Sequence, residues 1–127
     1  MNLLLDTHIF LWLITNDPQL STKARLAIED GNNEVFLGAV SVWEITIKYK
    51  LGKLPLPQSP EVFLPAQREL HAIAPLPLEE ACVEKLVQLP DLHRDPFDRM
   101  LISQALHHDL MLVTEDQAIL TYPVPTL

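Results

Sequence analysis

Apolar residues along this chain alternate between short continuous runs and stretches where they recur every third or fourth position. The run Asn2 to Leu5 predicts a buried strand. Ile9, Trp12 and Leu13 then fall at helical spacing and predict a helix from Thr7 to Ile14. Asn16-Asp17-Pro18 is a turn, and Ser21 is an N-cap for a helix ending near Gly31. Glu34 to Leu37 predict a second strand. Ser41 begins a helix that carries Trp43, Ile47 and Leu51 and stops at Gly52. Pro55, Pro57, Pro60 and Pro65 interrupt the next stretch, which predicts a loop and then a helix from Ser59 or Pro60, shortened or kinked at Pro65. His71 to Ala74 predict a third strand. A helix from Pro77 to Leu89 buries Ala81, Leu86 and Leu89. Asp95-Pro96 opens a strong helix through His108, with Phe97, Leu101 and Ala105 one turn apart. Leu110 to Val113 predict a fourth strand, Asp116 to Leu120 a helical turn, and Val124 a last strand. Strands alternating with helices predict an α/β fold, its parallel sheet covered by helices on both faces.

Length and composition narrow this picture. The 127 residues suit one domain spanning 1–127, and 48% hydrophobic content allows a substantial core. A net charge of −8 argues against broad charge-driven binding of nucleic acid, although acids gathered around cations would account for part of it. Cys82 is the only cysteine, which excludes an intramolecular disulfide and favours a reducing, cytoplasmic setting. The first Lys or Arg is Lys23 and Asp6 interrupts the opening run, so no signal peptide is expected. No segment is suited to crossing a membrane.

The candidate chemistry lies in carboxylates placed where apolar stretches give way to helix starts. Right-handed crossovers bring every parallel strand's carboxyl end to one sheet edge, where open α/β sheets hold their ligands. Asp6 ends the first strand, Glu44 lies in the first turn after the second, Asp98 opens the helix before the fourth, and Asp116 follows the fourth. Each also has a structural explanation. Ser41-x-x-Glu44 and Thr114-x-x-Gln117 fit capping boxes, Asp95-Pro96 fits an N-cap with proline behind it, and Asp98 and Asp116 suit first-turn positions. Taken singly, capping is the simpler account of Glu44, Asp98 and Asp116, and a stronger one still of Asp95. Asp6 has the weakest such account, because an unpaired charge at a buried strand end is costly. Jointly, like charges about 4 Å apart repel by roughly 4 kcal/mol at an effective dielectric of 20, so convergent acids call for cations or protons. Oxygen ligands suit Mg²⁺ or Mn²⁺. Lys48, Arg94 and Arg99 could hold a phosphate backbone, or complement helix ends and pair with acids. Lys50 and Lys53 fit the helix-end role better. Trp12, Trp43 and Tyr49 could stack on bases, though helical spacing favours core packing for both tryptophans. His107-His108 reads as a solvated helix end without a partner at useful spacing.

Five motifs carry a resemblance. They are Leu3-Leu4-Leu5-Asp6-Thr7-His8; Ser41-Val42-Trp43-Glu44-Ile45 with Lys48; Leu51-Gly52-Lys53-Leu54; His93-Arg94-Asp95-Pro96-Phe97-Asp98-Arg99-Met100-Leu101-Ile102; and Leu112-Val113-Thr114-Glu115-Asp116. In this order, and over nearly the whole chain, they resemble the PIN-domain family and within it the VapC-type toxins of prokaryotic toxin–antitoxin pairs. The resemblance implies a three-layer α/β/α sandwich around a mainly parallel sheet and Mg²⁺-dependent cleavage of RNA, with Mn²⁺ as the alternative ion. It also implies a cognate antitoxin and a homodimer. By position the acidic quartet is Asp6, Glu44, Asp98 and Asp116, with Asp95 a secondary candidate and Glu115 outside the site. Thr7 and Thr114 match small hydroxyl positions beside the acids. Two rivals remain. A phosphoacceptor receiver-type domain needs an Asp ending the middle strand and a late Lys, and neither is present. A non-catalytic PIN-like interaction module would have no need of four convergent acids.

Overall fold

The computed structural model describes residues 1–127. Its strands are β1 (Asn2–Leu5), β2 (Glu34–Gly38), β3 (Ile73–Leu76) and β4 (Met111–Val113), and its helices are α1 (Thr7–Ile14), α2 (Thr22–Glu29), α3 (Ala39–Lys50), α4 (Pro60–Leu70), α5 (Glu80–Glu84), α6 (Pro96–His107) and α7 (Gln117–Leu120). A 3₁₀ turn, Lys85–Gln88, follows α5. The strands form one sheet in the order β3-β2-β1-β4, every pairing parallel.

Helices cover both faces, and the core divides accordingly. Leu3, Leu5, Val35, Leu37 and Val113 meet α1, α2, Ile45 of α3 and Leu64 of α4 on one side. Leu4, Leu76 and Leu112 meet Leu101, Ile102, Ala105, Ile119 and Tyr122 on the other. Successive side chains of a strand point to opposite faces, so an interior strand covered on both sides must be apolar throughout. Leu3, Leu4 and Leu5 are all fully buried. The backbone N–H of Asp6 extends the β1–β4 ladder by one rung, donating to Val113 O at 3.0 Å.

The elements agree with the sequence pattern except at five places. Helix α3 starts at Ala39 with Gly38 as its N-cap, so Ser41 lies inside the helix and Glu44 in its second turn. A Cβ on Gly38 would fall 2.7 Å from Gln104 Oε1 of α6, which is why this close approach takes glycine. Strand β3 begins at Ile73 rather than His71, because His71 caps α4 and Ala72 turns the chain at φ 53°. Pro65 sits inside α4 without ending it. The expected helix from Pro77 to Leu89 is broken into α5 and the 3₁₀ turn; Ala81 is exposed, and Cys82 and Leu89 are the buried residues. Val124 is buried but starts no strand, and the carboxyl end meets the sheet through a single parallel bridge, Leu112 to Thr126.

Candidate active site

Asp6 is the first residue past β1 and only 3% exposed. It occupies the N-cap position of α1, yet its side chain makes no capping bond. Its Oδ2 instead accepts a hydrogen bond from Thr114 Oγ1 at 2.8 Å. Burial raises its pKa above the usual carboxylate range; the Thr114 bond opposes this, and the charge of Asp116 adds to it.

Thr114 links two acids, since its oxygen also accepts from the Asp116 N–H at 3.0 Å. Asp116, not Thr114, is the N-cap of α7, and its Oδ1 accepts from Ala118 N at 2.9 Å. Asp98 lies in the first turn of α6. Its pKa is pushed up to about 6 by burial and by the charges of Asp95, Asp6 and Asp116, against a hydrogen bond with His93. Asp6 and Asp116 follow the carboxyl ends of the neighbouring strands β1 and β4, and the charges of both act on Asp98. Asp95 caps α6, its Oδ1 accepting from Phe97 N at 2.8 Å and Asp98 N at 3.2 Å. Helix α3 is tied to the start of α1 beside Asp6: Thr7 Oγ1 donates to Ser41 Oγ at 2.9 Å, one turn before Glu44. Glu44 is 8% exposed and pairs through Oε2 with Lys48 Nζ at 3.1 Å.

No lysine or arginine pairs with Asp6, Asp98 or Asp116. Hard oxygen donors, partly desolvated and mutually repelling, fit a hard divalent cation. Residues 3–124 match the family model of the PIN domain.

The chain belongs to the PIN-domain family. A stretch of 68 residues is 35% identical to ribonuclease VapC16 of Mycobacterium tuberculosis, covering 50% of this chain and 48% of that protein. The match thus spans about half the length of the curated relative. Among solved structures, the fold is similar to VapBC2 from Rickettsia felis, bound to a promoter DNA fragment, with a TM-score of 0.71 at 16% identity over 100% of this chain and 97% of that one. It is also similar to VapBC-1 from nontypeable Haemophilus influenzae, with a TM-score of 0.66 at 20% identity over 100% and 97%. These two likenesses are of fold.

Two features of this PIN site, at His93 and Trp43, differ from the sequence-based expectation, and Arg99 takes the acid-pairing alternative. His93 was not singled out, yet its Nε2 lies 2.9 Å from Asp98 Oδ2, and the ligand atoms of His93, Asp95 and Asp98 all fall within 4.8 Å of one another. The signal was available in His93-x-Asp95-Pro96-x-Asp98, where a histidine sits one loop before two helix-start acids. Arg99 is held by protein groups: Nη1 donates to Pro90 O and to Tyr122 Oη, both at 2.9 Å, and Nη2 lies 3.6 Å from Asp91 Oδ1. Tyr122 Oη also accepts from His93 N at 2.9 Å, so Arg99 and Tyr122 brace the loop that presents His93. Trp43, expected in the core, is 58% exposed and meets Phe97 edge to face at 4.9 Å. Trp12 does pack against the first core cluster, and Arg94 is exposed.

Proposed function

We propose that this chain is a metal-dependent endoribonuclease, the toxin of a toxin–antitoxin pair, and that it cleaves RNA phosphodiester bonds by hydrolysis. The observation that carries the proposal is Asp6: a buried carboxylate at the end of an interior strand, free of any capping role, oriented by Thr114 and repelled by Asp98 and Asp116. The identity with a ribonuclease over 68 residues supports the substrate class. The solved VapBC relatives support an antitoxin partner, and we propose a homodimer as the working form.

Asp6, Asp98 and Asp116 would hold Mg²⁺, or Mn²⁺ in its place, with Glu44 beside them and Asp95 as a further donor. When bound, the cation supplies positive charge against the scissile phosphate and acidifies water. Glu44, with Oε2 held by Lys48, takes the proton of the attacking water on Oε1. Thr114 fixes the rotamer of Asp6. Thr7, next to Asp6, donates to Ser41 Oγ and so ties the start of α1 to α3. Lys48 and Arg94 meet the RNA backbone, and Trp43, one residue before Glu44 and edge to face with Phe97, the neighbour of Asp98, offers an aromatic face to a base. Arg99 positions the His93 loop and does not touch substrate.

The test is incubation of a panel of cellular RNAs with wild type and Asp6→Asn, with and without Mg²⁺. Cleavage that needs both Mg²⁺ and Asp6 is expected, and full activity in Asp6→Asn would overturn the assignment.

A further inference from the structure

A second cluster of ligating side chains lies at the opposite end of α6. His107 closes the helix and His108 caps it, their rings 4.9 Å apart and nearly perpendicular. The chain around α5 comes against this end. Cys82 Sγ lies 3.8 Å from His108 Nε2. Glu79 Oε2 lies 3.5 Å from His107 Nε2, and its Oε1 lies 3.8 Å from His108 Nε2. The sulfur and imidazole nitrogens of Cys82, His107 and His108 all fall within 4.8 Å of one another. Ser103 Oγ donates to Cys82 O, which fixes the cysteine backbone against α6. The pair His107-His108 therefore does have partners, and the fold supplies them from a distant part of the chain.

We infer that Glu79, Cys82, His107 and His108 form a zinc-binding site. A thiolate, two imidazoles and a carboxylate make a four-ligand set of borderline softness, suited to Zn²⁺ and unsuited to Mg²⁺. Zinc bonds of about 2.0 to 2.3 Å at tetrahedral angles put ligand atoms about 3.3 to 3.6 Å apart. Cys82 and His108 stand 3.8 Å apart, and the two imidazoles meet different oxygens of Glu79 at 3.5 and 3.8 Å; Cys82, His107 and His108 form the mutual cluster, and Glu79 closes on the same ion by a movement of its half-exposed side chain. Cys82 is fully buried while the Glu79 side chain is 55% exposed, so an ion enters from the Glu79 side and meets the sulfur at the inner end. The bound ion would join the segment after β3 to the end of α6. His107 is nine positions from Asp98 on one helix, about 14 Å at 1.5 Å per residue, which separates this site from the carboxylate edge.

Cobalt(II) is the probe, because a thiolate-to-cobalt charge-transfer band in this protein can come only from Cys82, its single cysteine. Metal-stripped full-length chain titrated with Co²⁺ should develop that band, with the intense visible bands of a tetrahedral site, saturating at one equivalent. Zn²⁺ should bleach it stoichiometrically and raise the melting temperature. His107→Ala/His108→Ala, at partly exposed positions, should keep the far-ultraviolet circular dichroism and lose the band, as should Cys82→Ser. Asp6→Asn should retain it, which keeps this result separate from the nuclease assignment. A folded wild type with no charge-transfer band overturns the inference, and so does a band that survives in His107→Ala/His108→Ala.

Discussion

Thr114→Val removes a single hydroxyl from the centre of the candidate site. That hydroxyl donates to Asp6 Oδ2 at 2.8 Å and accepts from Asp116 N at 3.0 Å. A hydrogen bond to a charged group contributes about 1.5 to 3 kcal/mol, and an N–H left without a partner in a buried setting costs about 1 to 3 kcal/mol. The Asp116 N–H is close enough to solvent for water to recover part of the second figure, so a net destabilisation of about 2 to 4 kcal/mol is expected at pH 7 in chemical denaturation. The sharper consequence is protonic. Burial already raises the Asp6 pKa, and the Thr114 bond is the largest opposing effect. Its loss favours the protonated carboxyl further. A protonated Asp6 is a poor cation ligand, so the acid limb of the cleavage rate against pH should move to higher pH. Thr114→Ser keeps the donor and should restore the wild-type limb. If Thr114→Val cleaves RNA with an unshifted acid limb, the role given to this hydroxyl is wrong.

Asp98→Asn tests the repulsion at the edge. The native carboxyl titrates at about 6 against an ordinary 3.8, so between these values the folded state binds the extra proton and metal-free stability rises as pH falls. Holding Asp98 charged at pH 7 therefore costs stability, about 1 to 2 kcal/mol after allowance for its partial solvation. Thermal melts in EDTA at pH 7 should find Asp98→Asn more stable than wild type, and lower stability would refute the sign. Trp43→Ala, at an exposed position, should change stability by less than about 0.5 kcal/mol yet raise KM for RNA about 5- to 100-fold, the value of one base stack; an unchanged KM would remove Trp43 from the substrate path.

The alternation of apolar runs with helical spacing was legible because the sheet is wholly parallel and covered on both faces. What the pattern misjudged was the amphipathic face of α3. Trp43, Ile47 and Leu51 recur at helical spacing, but Trp43 and Leu51 are exposed. The buried face carries Val40, Ser41, Glu44 and Ile45, two of them polar, with Ser41 held by Thr7 of α1 and Glu44 by Lys48. A hydropathy argument follows apolar burial, so it slips wherever function buries polar groups. The start of α3 was hidden for a related reason: Val35 to Val40 is nearly continuous in apolar character, and Gly38 caps the helix without a side chain. The acids stood out in the sequence as a set, although singly all but Asp6 read more simply as helix caps or first-turn acids. Tyr122 and the Cys82 cluster were not legible, because their partners lie 29 and 26 positions away and depend on loop and helix placement, whereas His93 stands five positions before Asp98 in a motif that could be read locally.

Capping does not compete with the proposed ligand role, because a carboxylate has two oxygens. Asp116 caps α7 through Oδ1, and Asp95 caps α6 through Oδ1 alone. Fixing one oxygen on a helix N-terminus leaves the other without a capping duty, and the positive ends of the helix dipoles offset part of the carboxylate charge. Asp95→Asn separates the two duties. Asparagine is as good an N-cap as aspartate, so α6 should keep its start and the melting temperature should hold. The charge disappears, however, and Asp95 is the largest charge raising Asp98. The Asp98 carboxyl should then titrate nearer its ordinary range, moving the acid limb of cleavage to lower pH, while Mg²⁺ affinity measured by calorimetry falls with the loss of one negative donor. If both the acid limb and the Mg²⁺ affinity match wild type, Asp95 serves the helix alone and the site consists of the remaining acids.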